Sequence, residues 1–322
     1  MNRLKEVEDV ISRHKKFIIG SHRSPEADAI GSQLGLSRAL RQRGKKTTLV
    51  NVDGVPRNLS FLKGADSIKK PGEIDDKKLS GIEVGIVVDC SDLDRLGDAG
   101  KRLFEGLPVI NIDHHKDNDK FGDINYVQGV AATTEIIAEL IEYMGLTIDE
   151  PMATALYAGI IADTSSFRND NVNPDLMERS AELLRRGANA RSVIVNLYER
   201  EPFIKLKLLG EVLSNAKFNN GIVWTTITPS LLEKVSASGE DTEGIVGTLR
   251  TTEGAKVACV FKELSDNRVK VSLRSKEGFD VSRVASKFGG GGHTVAAGCL
   301  VKGELEEVRK RVLSEIDKRV NA

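Results

Sequence analysis

Residues 17–32 read FIIGSHRSPEADAIGS. An apolar run closes on Ser21-His22, a loop carries Glu26 and Asp28, and helical spacing then begins at Ile30. The run reads as a strand, and Ile30, Leu34, Ala39 and Leu40 mark a helix that ends at Gly44. The loop between them admits two readings. Ser24 as N-cap, Pro25 at the first helical position and acidic residues in the first turn would make it a helix start. His22, Glu26 and Asp28 would equally suit a metal ion. This stretch alone leaves both open.

The pattern it begins continues through the first half of the chain. KTTLVNV (46–52), EVGIVVD (83–89) and PVINID (108–113) read as strands, nearly all apolar, as expected where both faces are covered. Helical patterns follow at 132–144, 151–162 and 174–186. Strands alternating with helices predict an α/β domain with a doubly wound, mostly parallel sheet over 1–190. Residues 191–216 are helical and charged and read as a linker. Beyond them GIVWTTIT, KVACVFKEL and RVKVSLRS, the tract GGGGHTVAAG and an amphipathic helix at 304–320 predict a smaller α+β domain over 217–322.

The 322 residues are 40% hydrophobic and 29% charged, the composition of a globular protein with a substantial core. Lys+Arg and Asp+Glu both number 47, so no global positive field suits long duplex nucleic acid, and any anion site must be built locally. Cys90, Cys259 and Cys299 are far apart and odd in number, which fits neither a disulfide framework nor a thiolate zinc site. The N-terminus alternates charge without the apolar core of a signal peptide, and no run reaches the roughly 20 apolar residues of a membrane span. A cytoplasmic protein with no membrane partner is expected. A homodimer stays open.

The loop at 22–28 gains meaning from three other tracts. VVDCSD places Asp89 directly after an apolar run, INIDHH does the same with Asp113, His114 and His115, and AGIIADTSSF with Asp163. In a parallel sheet the carboxyl ends of the strands share one edge, which carries the ligand crevice. Gathering so many carboxylates there is costly without cations. The donors are imidazole and carboxylate without thiolate, which suits Mn²⁺, with Mg²⁺, Co²⁺ or Zn²⁺ as competitors. Six or more ligands exceed one ion, so two are inferred, and a two-metal site is suited to phosphoryl displacement.

HRSPEADAIGS, VVDCSD, NIDHH and ADTSSF, in this order, resemble the four motifs of the DHH phosphoesterase superfamily, and SLRSKEGFDVSRVASKFGGGGHTVAAG resembles its DHH-associated substrate domain. With FGDINYV (121–127) the chain is most similar to the NrnA-type oligoribonuclease/pAp phosphatase (nanoRNase) branch. The resemblance implies a catalytic cleft between two domains and two Mn²⁺. His22 and Glu26 would bind one ion and Asp28 the other, with Asp89 bridging both and His114 and Asp163 completing the second site. Asp113 would orient a neighbouring histidine, His115 would face the scissile phosphate or leaving group, and a metal-activated hydroxide would be the nucleophile. Glu26 departs from the family pattern, which has aspartate there, one methylene shorter.

For the second domain, Gly289, Gly290, Gly291 and Gly292 let backbone N–H groups approach a phosphate, and His293 adds a donor. Arg250 and Arg274 sit in or beside β-runs where a guanidinium can grip phosphate, with Lys262 and Lys276 as weaker candidates. The resemblance implies a phosphodiesterase/phosphatase acting on very short RNA oligonucleotides and on phosphorylated nucleotides such as 3′-phosphoadenosine 5′-phosphate. Hydrolysis of cyclic dinucleotides or their linear products is the second enzyme reading. A nucleotide-binding module with an attenuated metal site is the non-enzyme reading. A pyrophosphatase fits the GGGGH tract less well, and a RecJ-type exonuclease fits the length less well.

Overall fold

The computed structural model describes residues 3–276 and 278–320. The chain divides into two compact units, 1–200 and 201–322.

In the first unit the strands are β1 (Lys16–Gly20), β2 (Lys46–Val50), β3 (Ile68–Lys69), β4 (Val84–Val88), β5 (Val109–Asp113) and β6 (Ile124–Val127). They form one sheet in the order β3-β2-β1-β4-β5-β6, every neighbour parallel. The helices are α1 (Arg3–Arg13), α2 (Ala27–Gln42), the short α3 (Asp76–Leu79) and α4 (Gly97–Lys101), α5 (Thr133–Tyr143), α6 (Glu150–Asp163), α7 (Pro174–Arg185) and α8 (Ala190–Tyr198). The strand order reverses between β1 and β4. In an open parallel sheet that reversal opens a crevice at the carboxyl ends of the two strands.

Side-chain alternation explains why the strands read as continuous apolar runs. Phe17, Ile19, Leu49, Val84, Ile86 and Val88 point into the larger core beneath the long helices. Ile18, Val50 and Val87 point into a second core with Leu96 and Phe104, closed by short turns rather than long helices. The Phe104 ring lies against Gly20 and Gly85, where a Cβ would come within 2.8 and 2.5 Å of it.

Thirteen of the sixteen residues of α2 are buried. It is sandwiched between the sheet and α6, and Gly31 lets the two helices meet, since a Cβ there would lie 2.3 Å from the Ala155 carbonyl oxygen. The start of α2 differs from the sequence expectation. Its N-cap is Glu26, with no side-chain capping bond, and Ser24 lies outside the helix in left-handed backbone with its N–H donated to Asp53. The loop is drawn out toward Asp53, so Ser24 is too early to cap.

The second unit contains α9 (Phe203–Ser214), β7 (Lys217–Asn219), β8 (Ile222–Ile227), α10 (Pro229–Val235), α11 (Ile245–Arg250), β9 (Val257–Leu264), β10 (Arg268–Ser275), α12 (Val281–Lys287), β11 (Gly291–His293), β12 (Ala296–Lys302) and α13 (Leu305–Val320). Its sheet runs β11-β12-β10-β9-β8-β7, antiparallel except for β8 with β9. Alternate residues of β9 face two separate cores, Cys259 and Phe261 one, Ala258 and Val260 the other. The stretch 191–216 is shared between the units: Val193 of α8 packs in the first core, Leu208 and Val212 of α9 in the second unit. Among the described residues no helix is long and apolar enough to cross a membrane.

Candidate active site at the carboxyl edge of the parallel sheet

His22 follows β1 and Asp89 follows β4, so the two flank the point where strand order reverses. His22 is 6% exposed, its Nδ1 donates to the Arg23 carbonyl at 2.7 Å, and its Nε2 lies 3.5 Å from Asp89 Oδ2. A backbone carbonyl on one ring nitrogen leaves the other with its lone pair toward the site, the arrangement of metal-binding imidazoles. Behind it, Gln33 bridges the Ile19 and Val50 carbonyls and accepts from Asn51, whose Oδ1 in turn accepts the Ser21 N–H. This buried amide pair fixes the loop, and sequence reading passed over it because neither residue stands in a motif.

Asp89 has left-handed backbone, φ 54°, a strained conformation held by its N–H bond to the Ile112 carbonyl. Its two oxygens face different imidazoles. Oδ2 faces His22, whereas Oδ1 lies 3.6 Å from His114 Nε2 and 3.8 Å from His115 Nδ1 and accepts from Thr133 Oγ1. Burial alone would push Asp89 up, but His22, His114 and His115 outweigh it and hold the carboxyl below its usual range.

His114 Nε2 gathers the rest: Asp163 Oδ2 at 3.3 Å, Asp89 Oδ1 at 3.6 Å and Asp28 Oδ2 at 4.0 Å. Asp28 is wholly buried in the first turn of α2, yet its carboxylate accepts the N–H groups of Thr133 and Thr134 at 2.6 and 2.9 Å, so it caps α5. Asp163 is the last residue of α6, so a helix rather than a strand delivers the fourth motif. A helix C-terminus disfavours a carboxylate. Ser165, Ser166 and Phe167, all at positive φ, then form a left-handed turn that no glycine announces in the sequence.

Asp113 ends β5 and receives His115 Nδ1 at 2.7 Å and the His114 N–H at 2.9 Å on one oxygen. Its other oxygen receives Asn118 Nδ2 at 2.6 Å. Asn118 also donates to Asn111 and to the Cys90 carbonyl, and Asn111 donates to that same carbonyl. The asparagine pair therefore ties the Asp89 loop to the Asp-His-His loop, a role no spacing in the sequence signalled. Asn118→Ala is expected to lower kcat by about 10–100-fold with KM little changed, the usual cost of losing such a support. An unchanged kcat in steady-state assays would contradict that role.

Glu26 is exposed and belongs to neither close cluster, although its charge reaches Asp163. Among the described residues two groups of donors each have their ligand atoms within 4.8 Å of one another: Asp89, Asp113, His114 and His115, and Asp28, His114 and Asp163. Burial and the facing carboxylate of Asp89 push Asp28 up to about 6, and burial with Asp28, Asp89 and Glu26 raises Asp163 well above the usual carboxylate range. Carboxylates so arranged are short of positive charge, and the imidazole–carboxylate donor set fits divalent ions.

Chelated protein is expected to lose stability as pH rises. Asp28 and Asp163 are raised, as are His22 and His115, where Asp89 and Asp113 outweigh burial. A raised folded pKa gives stability that is present below the ordinary value and lost as pH climbs through the folded one. Mn²⁺ should therefore raise Tm more near pH 7.5 than near pH 5, in scans of chelated against loaded protein. Equal shifts at both values would refute this.

In the second unit Arg274 shares one face of β10 with Lys270 and Ser272, lining a cavity of about 380 Å³ with Lys262. Arg250 ends α11 and is not in that lining. The glycine run has a packing explanation. Gly289 turns the chain after α12 at φ 76°, and a Cβ on Gly290 or Gly292 would come within 2.1 or 2.5 Å of the Gly298 or Ala296 carbonyl oxygen of β12. His293 closes β11 opposite Ala296. Sequence reading also passed over Arg95, whose charge acts on both His22 and His115.

Residues 16–160 match the DHH family, N-terminal domain, and residues 225–322 match the DHHA1 domain. The bifunctional oligoribonuclease and PAP phosphatase NrnA of Thermus thermophilus is 36% identical over 304 residues, 92% of this chain and 88% of the relative. The chain belongs to the DHH phosphoesterase family. The NrnA of Bacillus subtilis is 30% identical to this DHH protein over 90% of its length and 91% of the relative's. An exopolyphosphatase-related protein from Bacteroides fragilis, a solved structure, superposes on the DHH chain with a TM-score of 0.93 at 27% identity, covering 99% of this chain and 98% of that one. The DHH protein is accordingly a metal-dependent phosphoesterase with a parallel six-stranded sheet in its N-terminal region.

Proposed function

We propose that this enzyme hydrolyses very short oligoribonucleotides to mononucleotides and converts 3′-phosphoadenosine 5′-phosphate to AMP, using two divalent ions, Mn²⁺ foremost. One observation carries the reading: Asp89 turns one oxygen to His22 and the other to His114 and His115, as a carboxylate shared between two ligand sets must. His22 and Glu26 would hold one ion, and Asp28, His114 and Asp163 the other, with Asp89 common to both. Bound there, the ions would supply concentrated positive charge that draws in phosphate oxygens and acidifies water at neutral pH. Glu26 must swing in from its exposed position to take part.

The chain's own residues do the rest. Asp113 fixes His115 through Nδ1, which assigns proton transfer to the leaving oxygen to Nε2. Asp113 also keeps His115 protonated to higher pH than burial alone would allow, as an acid requires. Arg95 adds a guanidinium for a phosphate beside the two imidazoles. Arg274, Arg250 and His293 are assigned as phosphate anchors of the second unit, with Gly289, Gly290, Gly291 and Gly292 holding the backbone that carries His293. The similarity to the two NrnA relatives supports the substrate class.

The test is purified protein with Mn²⁺, challenged side by side with pGpG, pAp, a cyclic dinucleotide, pyrophosphate and RNA of about 20 residues. Turnover of pGpG and pAp is expected. Hydrolysis of pyrophosphate alone, or of the long RNA as fast as the dimer, would sink the proposal.

A further inference from the structure

A cavity of about 530 Å³ in the first unit lies at the starting ends of β1 and β2, the end of the sheet opposite His22 and Asp89. Its volume falls within the roughly 300–1,000 Å³ of small-molecule sites. Lys16, Arg41, Lys46, Lys69, Lys77 and Lys78 line it, against the two carboxylates of Glu73 and Asp75. Among the described side chains that is four positive charges in excess, concentrated in a chain whose net charge is zero.

The carboxylates are already engaged. Glu73 accepts the Lys70 N–H and Asp75 the Lys77 N–H. Two of the cations are engaged as well, Lys16 with the Ser80 carbonyl at 3.0 Å and Arg41 with Thr47 Oγ1 at 2.8 Å. Among the described residues the ammonium groups of Lys46, Lys69, Lys77 and Lys78 have no hydrogen bond or ion pair. Lys16 and Lys46 also stand directly opposite each other across β1 and β2, and like charges so placed repel.

Lysines do guard open strand edges, and β3 pairs with β2 only at Leu49 and Val50, leaving 46–48 at the edge. Edge protection asks only for scattered charge. Here the charges converge on one cavity, in whose lining Ile82 is partly exposed.

We propose that this cavity is a second ligand site, separate from the catalytic edge, that takes a nucleoside polyphosphate. A single terminal phosphate brings roughly −1.5 to −2 near neutral pH, so two or more phosphates are needed to offset four ammonium groups. The partly exposed Ile82 gives a nucleoside one apolar contact. The one aromatic side chain of the lining, Phe17, is 1% exposed, so the site lacks the stacking platform that single-stranded RNA uses.

Calorimetric titration of the full chain in excess EDTA tests this without turnover, so its failure leaves the phosphoesterase reading intact. GTP should bind at one site per chain, with affinity falling steeply as salt rises. Lys46→Ala/Lys69→Ala should weaken it at least about tenfold without lowering Tm and with Mn²⁺-dependent hydrolysis unchanged. The site assignment is overturned if GTP does not bind or if the double variant binds it equally. AMP binding as tightly as GTP would overturn the polyphosphate requirement, and tripolyphosphate doing so would overturn the nucleoside part. Displacement of GTP by a 12-residue oligoadenylate would reassign the groove to RNA.

Discussion

Asp89→Asn is expected to lower kcat/KM by more than about 10³-fold, beyond the 10²–10³ usually lost with a single electrostatic contact. The reason lies in the two faces of one carboxylate. Asp89 Oδ2 addresses His22 and Oδ1 addresses His114 and His115, so removing its charge disturbs both ligand sets together. Asparagine keeps the volume and an oxygen for Thr133 Oγ1, so the fold should survive. It also removes one of the charges that raise Asp28 and Asp163, so the metal-free variant should melt within a few degrees of the metal-free parent. Near-parental turnover, with the metal content unchanged, would sink the shared-carboxylate assignment.

Gly31→Ala is expected to destabilise the protein by about 3 kcal/mol, at the upper end for overpacking. In a unit of this size that is a fall in Tm of roughly 6–12 °C. The added methyl would sit 2.3 Å from the Ala155 backbone oxygen, which cannot rotate away as a side chain can, so α2 and α6 must separate. Both helices carry site carboxylates, Asp28 at the start of one and Asp163 at the end of the other, so activity should fall with stability. Gly210→Ala is the control. It lies inside α9 with nothing within 4 Å of the new methyl, and should be neutral or stabilise by about 0.5–1 kcal/mol. A Gly31→Ala protein as stable as the parent would show that the helices are less closely pressed.

Much of the first unit was legible because its strands are buried on both faces. Runs such as VGIVV suit strands covered on both faces, and helices read at 132–144, 151–162 and 174–186 stand at Thr133–Tyr143, Glu150–Asp163 and Pro174–Arg185. The capping of α2 is not legible locally, because Ser24-Pro25 is a sound helix start on its own and the distant Asp53, 29 residues on, holds Ser24 outside the helix. The GGGGH tract suggests an anion cradle from sequence, and the structure adds that two of its glycines are required by the close approach of β12, a contact invisible before the hairpin is built.

The sequence by itself determined which chemistry the chain can hold. Carboxylates and imidazoles that end or closely follow parallel strands, as His22, Asp89, Asp113, His114 and His115 do, collect at one edge of the sheet, and such a collection calls for cations. Tertiary structure alone decided how they divide. It placed His22 and Asp89 at the reversal of strand order and turned the two Asp89 oxygens to different histidines. It also brought Asp28 beneath the first turn of α5, and Asn111 and Asn118 behind Asp113. Those contacts join residues up to 106 positions apart, and their partners are chosen by packing between elements, which no local pattern encodes.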